Sequence, residues 1–210
     1  MCGIAGIVNL RGNPVEPAEI SRLTSLIAHR GPFGEGTWFN AKRNVAFGHR
    51  RLAIIDPGEG GYQPMVSGDG RHVIVYNGEI YNFLELRREL EAKGAVFRSQ
   101  SDTEVILAAW QAWGEDMLLR FNGMWALAIY DTATDELFLA RDRFGIKPML
   151  YALSSERFVF ASEQRALARS GLLETSLDID VARRLLLDPF GIEGSERTLY
   201  SQVRSEEHTS

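Results

Sequence analysis

The sequence contains a single cysteine among its 210 residues, so no disulfide can form within the chain. It also lacks an excess of positive charge, because 23 Lys and Arg residues are outnumbered by 28 Asp and Glu residues, giving a formal net charge of −5. Such a chain has no electrostatic footprint for nucleic acid or an anionic membrane. No stretch is apolar enough to span a bilayer, and the N-terminus shows no charged region followed by an apolar core. We therefore expect a cytoplasmic protein with a small-molecule substrate, no nucleic-acid partner and no membrane.

The rest of the composition is that of a globular protein. Hydrophobic residues make up 45% of the chain and charged residues 24%, which is enough to bury a sizeable core in one or two domains. Groups of predicted strands alternate with predicted helices, without regular βαβ crossovers, and this order favours a layered α+β domain. The predicted strands are GIAGIVNL, GTWFN, NVAFGH, LAIID, HVIVYNGEI, MWALAIYD, ELFLARD and RFVFAS. The predicted helices are PAEISRLTSLIAHR, FLELRRELEAKG, DTEVILAAWQAWG and DIDVARRLLL, with a further helical pattern near Ala166.

The single cysteine, Cys2, directly follows Met1. It is either a small apolar residue that opens a buried strand or a nucleophile, and a thiol nucleophile needs a base. His29 and His49 are candidate bases. Removal of Met1 would supply another base, since the α-amino group of Cys2 would have a pKa of about 7.7–8.0. Cys2 is small enough to permit methionine excision, and Gly3 leaves room for a substrate.

Several motifs along the chain together resemble one known family. They are MCGIAGI at the start, HRGP at 29–32, GHRRLAIID at 48–56, YNGEIYN at 76–82, SDTEVIL at 101–107, RDRFGIKP at 141–148 and ASEQRAL at 161–167. In this order they resemble the N-terminal glutaminase domain of asparagine synthetase, a class II glutamine amidotransferase, as far as about Arg204. The resemblance implies an α+β fold, a four-layer αββα sandwich of the N-terminal-nucleophile hydrolase type.

The resemblance also implies an activity, the hydrolysis of the glutamine side-chain amide to glutamate and ammonia. Cys2 would be the nucleophile and its freed α-amino group the general base. Asn77 and Gly78 match the oxyanion hole of the family, through a side-chain amide and a backbone N–H. Taken alone, this Asn-Gly pair predicts a hairpin turn, but the family match favours the catalytic interpretation.

The same resemblance assigns residues to glutamine binding. Arg51 matches the residue that clamps the glutamine carboxylate, for which the bidentate guanidinium is suited. Asp102 would pair with the ammonium group, and Glu79 and Asn77 would complete the binding site. Taken alone, Asp102 in SDTE predicts a helix N-cap, and Glu79 predicts a solvated turn residue.

Other matched segments are interpreted as structural. HRGP is expected to turn the chain beside the site, with His29 as a hydrogen-bonding residue. In RDRFGIKP, an ion-pair network among Arg141, Asp142 and Arg143 is the preferred interpretation.

The resemblance divides the function between two domains. Residues 1–204 are expected to form the glutaminase domain, and residues 205–210 to be a non-native tail. A C-terminal synthetase domain, truncated from this chain, would use ATP and Mg to make asparagine from aspartate and the ammonia. We expect L-glutamine and this second domain as partners, and the resemblance also allows a homodimer.

The sequence predicts no cofactor and no metal site for this domain. It contains no G-x-G-x-x-G, Walker or SGG pattern. Its four histidines and one cysteine lack the spacing of metal ligands.

Two alternatives stay open. The chain could be the glutaminase domain of a related amidotransferase with a different acceptor, or a non-catalytic module in which Cys2 is structural. Retention of Met1 would favour the second alternative, because the α-amino group of Cys2 would then be locked in a peptide bond.

Overall fold

The computed structural model describes residues 1–52, 58–188, 190 and 195–205. Its helices and strands, in chain order, are β1 (Gly3–Asn9), α1 (Pro17–Ser25), β2 (Glu35–Phe39), β3 (Val45–Arg50), β4 (Met65–Val66), β5 (His72–Ile80), α2 (Phe83–Ala92), α3 (Asp102–Trp113), β6 (Gly123–Asp131), β7 (Glu136–Arg141), β8 (Leu150–Leu153), β9 (Arg157–Ala161), α4 (Gln164–Arg169), α5 (Ile179–Leu187) and β10 (Arg204–Ser205).

The strands form two sheets in which all neighbouring strands are antiparallel. The first sheet has the order β10-β8-β9-β1-β3-β2, and the second has the order β4-β5-β6-β7. In the first sheet β1 lies between β9 and β3, so the residues just before β1 are held at the end of a central strand. This placement decides where Cys2 lies.

Three buried apolar clusters define the layers. One contains Ile4, Val45 and Phe47 of the first sheet together with Val73 and Val75 of the second, so the two sheets are packed face to face. The two other clusters lie on the outer faces of the sheets. One joins β1, β3 and β9 to α1 and α4, and the other joins β5 and β6 to α2 and α3. The order of layers is therefore helix, sheet, sheet, helix.

Side-chain alternation along β5 directs its residues to different layers. Val73 and Val75 lie in the cluster between the sheets, whereas Ile74, Tyr76 and Ile80 lie in the cluster with α2 and α3. Because successive side chains of a strand point to opposite faces, the residue after Tyr76 is directed toward the first sheet. That residue is Asn77, and the first sheet carries Cys2 at the start of β1.

Close packing accounts for two glycines near the chain start. A Cβ at Gly6 would come within 2.1 Å of the Phe160 ring. A Cβ at Gly3 would come within 2.9 Å of Ile27 and 3.4 Å of Arg30. A side chain at Gly3 would thus press on the end of the Ile27 side chain, and room for a substrate at Gly3 stays a prediction.

Several predicted elements differ in their limits. Helix α1 ends at Ser25, and the rest of its predicted segment forms a short 3₁₀ turn at Ala28–Arg30. The short strands β4, β8 and β10 were not predicted. Most of the predicted strand LAIID lies outside the described residues. In the part of the chain that the structure describes, none of the helices is long and apolar enough to cross a membrane.

Candidate active site

A pocket of about 250 Å³ opens beside the start of β1. All the residues that the sequence assigned to catalysis and glutamine binding line it, namely Cys2, Arg51, Asn77, Gly78, Glu79 and Asp102. They come from four separate stretches of the chain, which the stacking of the two sheets brings together. Residues that the sequence did not assign also line the pocket, among them Tyr76, Gln63 and Lys147.

Cys2 lies directly before β1 and is half-buried. Its Sγ accepts a hydrogen bond from the backbone N–H of Leu52 at 3.3 Å and lies 3.6 Å from the Leu52 carbonyl oxygen. Burial raises the pKa of the Cys2 thiol, while the Leu52 N–H, the chain N-terminus and Arg51 act to lower it. The thiol is thus protonated at rest near neutral pH, and a base has to accept its proton before it can attack.

Arg30 holds the main chain of the same residue. Its Nε donates to the carbonyl oxygen of Cys2 at 3.0 Å, and its Nη1 pairs with Glu163 at 3.0 Å. The Nε2 of His29 lies 2.8 Å from the same carboxylate oxygen of Glu163. Burial alone would raise the pKa of Glu163, but the hydrogen bonds from Arg30 and His29 outweigh it and lower the pKa. Residues of the motifs HRGP and ASEQRAL are therefore in contact with each other next to the Cys2 backbone, a contact that no pattern in the sequence predicted.

Gly31 explains how HRGP approaches the site. A Cβ at this position would come within 2.3 Å of the Arg50 carbonyl carbon and 2.4 Å of the Arg51 nitrogen, so only glycine allows the two segments to lie this close. The Arg51 N–H donates to the carbonyl oxygen of Gly34 at 2.8 Å. The Arg51 side chain is buried, and its guanidinium lies 4.6 Å from the centre of the Tyr62 ring.

Asn77 and Gly78 lie inside β5, in register with Ala126 and Trp125 of β6. The hairpin turn that an Asn-Gly pair predicts is therefore not formed here. A Cβ at Gly78 would come within 2.3 Å of the Met124 carbonyl oxygen, so the close approach of β6 requires glycine at this position.

Both residues offer hydrogen-bond donors at the pocket. The Nδ2 of Asn77 is buried and has no hydrogen-bond partner within the described ranges. The N–H groups of Tyr76 and Ile80 donate to the side chains of Gln63 and Asp102, at 2.6 and 3.2 Å, on the edge of β5 away from β6. Since N–H directions repeat every second residue along a strand, the Gly78 N–H points to the same edge. Two donors on adjacent residues of β5 thus flank the pocket, as an oxyanion hole requires.

Asp102 is the first residue of α3, after the N-cap Ser101, whose Oγ accepts from the Thr103 N–H at 3.2 Å. The N-cap interpretation of Asp102 is therefore wrong by one residue. Its Oδ2 accepts from the Tyr76 hydroxyl at 2.8 Å and from the Ile80 N–H at 3.2 Å. Burial raises the pKa of Asp102, and the hydrogen bonds from Tyr76 and Ile80 partly offset this effect.

The pocket carries charges of both signs. Arg51 and Lys147 supply positive charge, and Glu79 and Asp102 supply negative charge. Neither Glu79 nor Lys147 forms an ion pair with another side chain in the described part of the protein. A zwitterionic ligand would find a complement for each of its charged groups here.

The candidate base His49 lies in the pocket wall on β3 and is 1% exposed. Neither of its ring nitrogens has a hydrogen-bond partner among the described residues. Burial lowers the pKa of His49 to about 3, so the ring is neutral and a poor base near pH 7. The other candidate, His29, has a side chain that is 62% exposed and is engaged by Glu163. Neither histidine is suited to accept the thiol proton.

RDRFGIKP forms a tight loop centred on Asp142, which is 1% exposed. The Asp142 carboxylate accepts hydrogen bonds from four backbone N–H groups, those of Trp125, Phe144, Ile146 and Lys147. The carboxylate therefore organises backbone, a role that the preferred ion-pair interpretation missed, and the loop carries Lys147 to the pocket wall. Within the described ranges, no group of three or more His, Cys, Asp or Glu residues is placed to hold a metal ion.

Comparison with known proteins relates this arrangement to a family. Residues 1–208 match the family described as "Glutamine amidotransferase domain". The chain is 40% identical over 202 residues to asparagine synthetase [glutamine-hydrolyzing] 3 of Bacillus subtilis (strain 168), covering 94% of this chain and 31% of that protein. It is 43% identical over 181 residues to a putative asparagine synthetase [glutamine-hydrolyzing] of Mycobacterium bovis, covering 80% of this chain and 28% of that protein. The chain thus spans less than a third of the length of these relatives.

Among solved structures, the glutamine phosphoribosylpyrophosphate amidotransferase of B. subtilis is similar, with a TM-score of 0.69 and 24% identity, covering 81% of this chain and 44% of that one. This likeness confirms the predicted fold, a layered sandwich of the N-terminal-nucleophile hydrolase type. The match over residues 1–208 confirms the predicted family. By its sequence, the chain belongs to the glutamine amidotransferase domain family.

Proposed function

We propose that this chain hydrolyses the side-chain amide of L-glutamine to glutamate and ammonia, with Cys2 as the nucleophile after removal of Met1. The observation that carries the proposal is the shared pocket, which is lined by Cys2, Asn77 and Gly78, and in which the Asn77 Nδ2 has no hydrogen-bond partner among the described residues.

The base is the α-amino group of Cys2, freed by the loss of Met1. His49 is neutral with a pKa of about 3, and His29 is engaged by Glu163, so neither histidine supports an alternative. An α-amino group titrates at about 7.7–8.0, which suits proton transfer at neutral pH. The α-amino group and the sulfur belong to the same residue, so the base and the nucleophile are oriented together.

The reaction proceeds in two halves. The α-amino group takes the thiol proton, and the thiolate of Cys2 attacks the amide carbon. The oxyanion that forms accepts hydrogen bonds from the Asn77 side chain and the Gly78 N–H. Collapse of this intermediate breaks the carbon–nitrogen bond, and the proton on the α-ammonium passes to the leaving ammonia. Water, deprotonated by the same amino group, then cleaves the thioester and releases glutamate.

The charged residues of the pocket orient the substrate. The Arg51 main chain is held by its hydrogen bond to Gly34, and the guanidinium lies over the Tyr62 ring. In this position the guanidinium pairs with the glutamine carboxylate. The carboxylates of Asp102 and Glu79 pair with the ammonium group, and Asn77 completes the contact with the substrate. A dicarboxylate or a diamine would leave one of these charges without a partner, so the site favours a zwitterion.

In the longer protein, we propose that a C-terminal synthetase domain uses the ammonia to make asparagine from aspartate. The named relatives, which are more than three times as long as the matched part, support this assignment. ATP and Mg would belong to that domain. A related amidotransferase with a different acceptor is the alternative, and a C-terminal sequence would distinguish the two. The cytoplasmic location, the homodimer and the non-native tail stay predictions.

The proposal is tested by measuring glutamate release from L-glutamine by the purified chain and by its Cys2→Ala and Cys2→Ser variants. We expect release by the wild-type chain, none above background with Cys2→Ala, and a Cys2→Ser rate reduced by orders of magnitude, all with unchanged thermal unfolding. Wild-type turnover in Cys2→Ala, or no turnover in the wild-type chain, would contradict the proposal and favour a structural role for Cys2.

A further inference from the structure

We propose that the Tyr76 hydroxyl is a positioning group for recognition of the substrate's α-ammonium, because it holds the carboxylate of Asp102 through one oxygen. This inference rests on the proposed function and adds to it a residue that determines specificity for α-amino acids.

The contacts define a fixed carboxylate. The Tyr76 hydroxyl donates to Oδ2 of Asp102 at 2.8 Å, and the Ile80 N–H donates to the same oxygen at 3.2 Å. Both of these hydrogen bonds fall on Oδ2, and the backbone N–H groups of Asp102 and Thr103 also act on the carboxylate to lower its pKa. Both residues line the pocket, with Tyr76 3% and Asp102 4% exposed.

The main chain of Tyr76 is held by Gln63. Its backbone N–H donates to Oε1 of Gln63 at 2.6 Å, and Nε2 of Gln63 donates to Oγ1 of Thr103 at 3.2 Å. Thr103 follows Asp102 in α3, so Gln63 connects the strand of Tyr76 to the helix of Asp102. Together these hydrogen bonds fix the position of the Tyr76 hydroxyl relative to the Asp102 carboxylate.

The physical need for the hydroxyl comes from burial. An ionised carboxylate without water is costly unless donors replace the lost hydration. Hydrogen bonds to a charged acceptor are the stronger class, so loss of the hydroxyl would leave Asp102 free to rotate or to take up a proton. In either case the substrate's ammonium would lose one of its two carboxylate partners and keep Glu79, while the thiol and the oxyanion donors would be unchanged.

The test compares Tyr76→Phe with the wild-type chain on two substrates. One is L-glutamine, and the other is 4-carbamoylbutanoate, which has the same amide and carboxylate but no α-amino group. Tyr130→Phe is the matched control, because its hydroxyl donates to Asp135 at 2.5 Å in a different part of the protein. The thermal unfolding midpoint of each variant is also measured, to show whether a loss of activity comes from a loss of folded protein.

We expect Tyr76→Phe to raise KM for L-glutamine by about tenfold, the size of one hydrogen bond to a charged group, with a smaller change in kcat. Its kcat/KM for 4-carbamoylbutanoate should stay within about twofold of wild type, and Tyr130→Phe should change neither substrate. An equal loss on both substrates would show general damage to the pocket and overturn the inference, as would no loss on either.

A binding measurement separates this inference from the proposed function. Calorimetric titration of L-glutamine into Cys2→Ala, with and without Tyr76→Phe, needs no turnover. Affinity that falls by about tenfold in the double variant supports ammonium recognition even if the wild-type chain fails to hydrolyse glutamine. Equal affinities overturn the inference while leaving hydrolysis by Cys2 intact.

Discussion

The Nε of Arg30 donates a hydrogen bond to the carbonyl oxygen of Cys2 at 3.0 Å, and this bond anchors the main chain of the proposed nucleophile. Once Met1 is removed, Cys2 is tethered by a single peptide bond, so contacts of its own backbone restrict where the sulfur lies. Further along β1, the Ile4 N–H donates to the Ser162 Oγ and the Ile4 carbonyl oxygen accepts from the Ser162 N–H, both at 3.0 Å. We therefore expect Arg30 to position the proposed nucleophile without taking part in the chemistry.

Arg30→Gln is expected to lower kcat for L-glutamine by about tenfold or more, with little change in KM, because the thiol would sample unproductive positions. The measurement is steady-state glutamate release, with thermal unfolding recorded for each variant.

The matched control for Arg30→Gln is Arg157→Gln. Arg157 pairs with Glu19 at 3.0 Å and lies opposite Asn9, at the other end of β1. A fall in kcat that is the same in both variants would contradict a role of Arg30 in positioning Cys2.

Asn77→Ala is expected to lower kcat by about 100-fold or more while changing KM little, since its Nδ2 would act on the oxyanion of the transition state. The free energy of unfolding should change little, because no hydrogen bond in the described structure is lost from that nitrogen. The two quantities are measured by steady-state kinetics and by urea unfolding.

Asn40→Ala is the matched control for Asn77→Ala, and for it we expect a loss of stability without a loss of activity. Its amide is buried, with Nδ2 donating to Asn44 and Tyr130, and Oδ1 accepting from the Val45 N–H at 3.0 Å. We expect a clear loss of stability, about 1–3 kcal/mol, and an unchanged kcat. If Asn77→Ala behaved like Asn40→Ala, Asn77 would be structural.

His49 makes the stability of the fold sensitive to acid. Its folded-state pKa of about 3 lies below the ordinary value of 6.5, so between these values the unfolded chain binds a proton that the folded chain does not. Stability from this group is therefore full above pH 6.5 and falls as the pH is lowered toward 3, by about 1.4 kcal/mol per pH unit.

His49→Asn is expected to remove this contribution. Between pH 7 and pH 5 the free energy of urea unfolding should fall by about 2 kcal/mol more in the wild-type chain than in the variant. Identical pH slopes for the two proteins would show that His49 is not buried as a neutral ring.

The resemblance of the motifs to a family predicted which residues line the pocket, whereas taken alone the Asn-Gly pair predicted a hairpin turn and Asp102 predicted a helix N-cap. The sequence could not predict the groups that hold those residues in place. Arg30 binds a backbone carbonyl 28 positions away, and Tyr76 binds a carboxylate 26 positions away. Neither contact leaves a local pattern in sequence, because the first forms when the segment after α1 packs on β1 and the second forms when α3 packs on β5.

The turn propensity of the Asn-Gly pair also led to one wrong prediction. Asn-Gly is typical of hairpin turns, yet Asn77 and Gly78 remain extended because β6 pairs along the full length of β5. The same pairing requires the glycine, since Met124 leaves no room for a Cβ. The burial of His49 could not be predicted from the sequence either. His49 could therefore be rejected as a base only when its surroundings were known.

The central claim is that Cys2 becomes the N-terminal residue and reacts with the glutamine amide carbon. The most direct test treats the purified chain with an L-glutamine analogue in which a chloromethyl group replaces the amide NH₂, and then records intact mass and a peptide map. The account predicts a chain lighter by one methionine, carrying one adduct on Cys2, with excess L-glutamine slowing the modification. Active protein that retains Met1, or an adduct on any other residue, would contradict it.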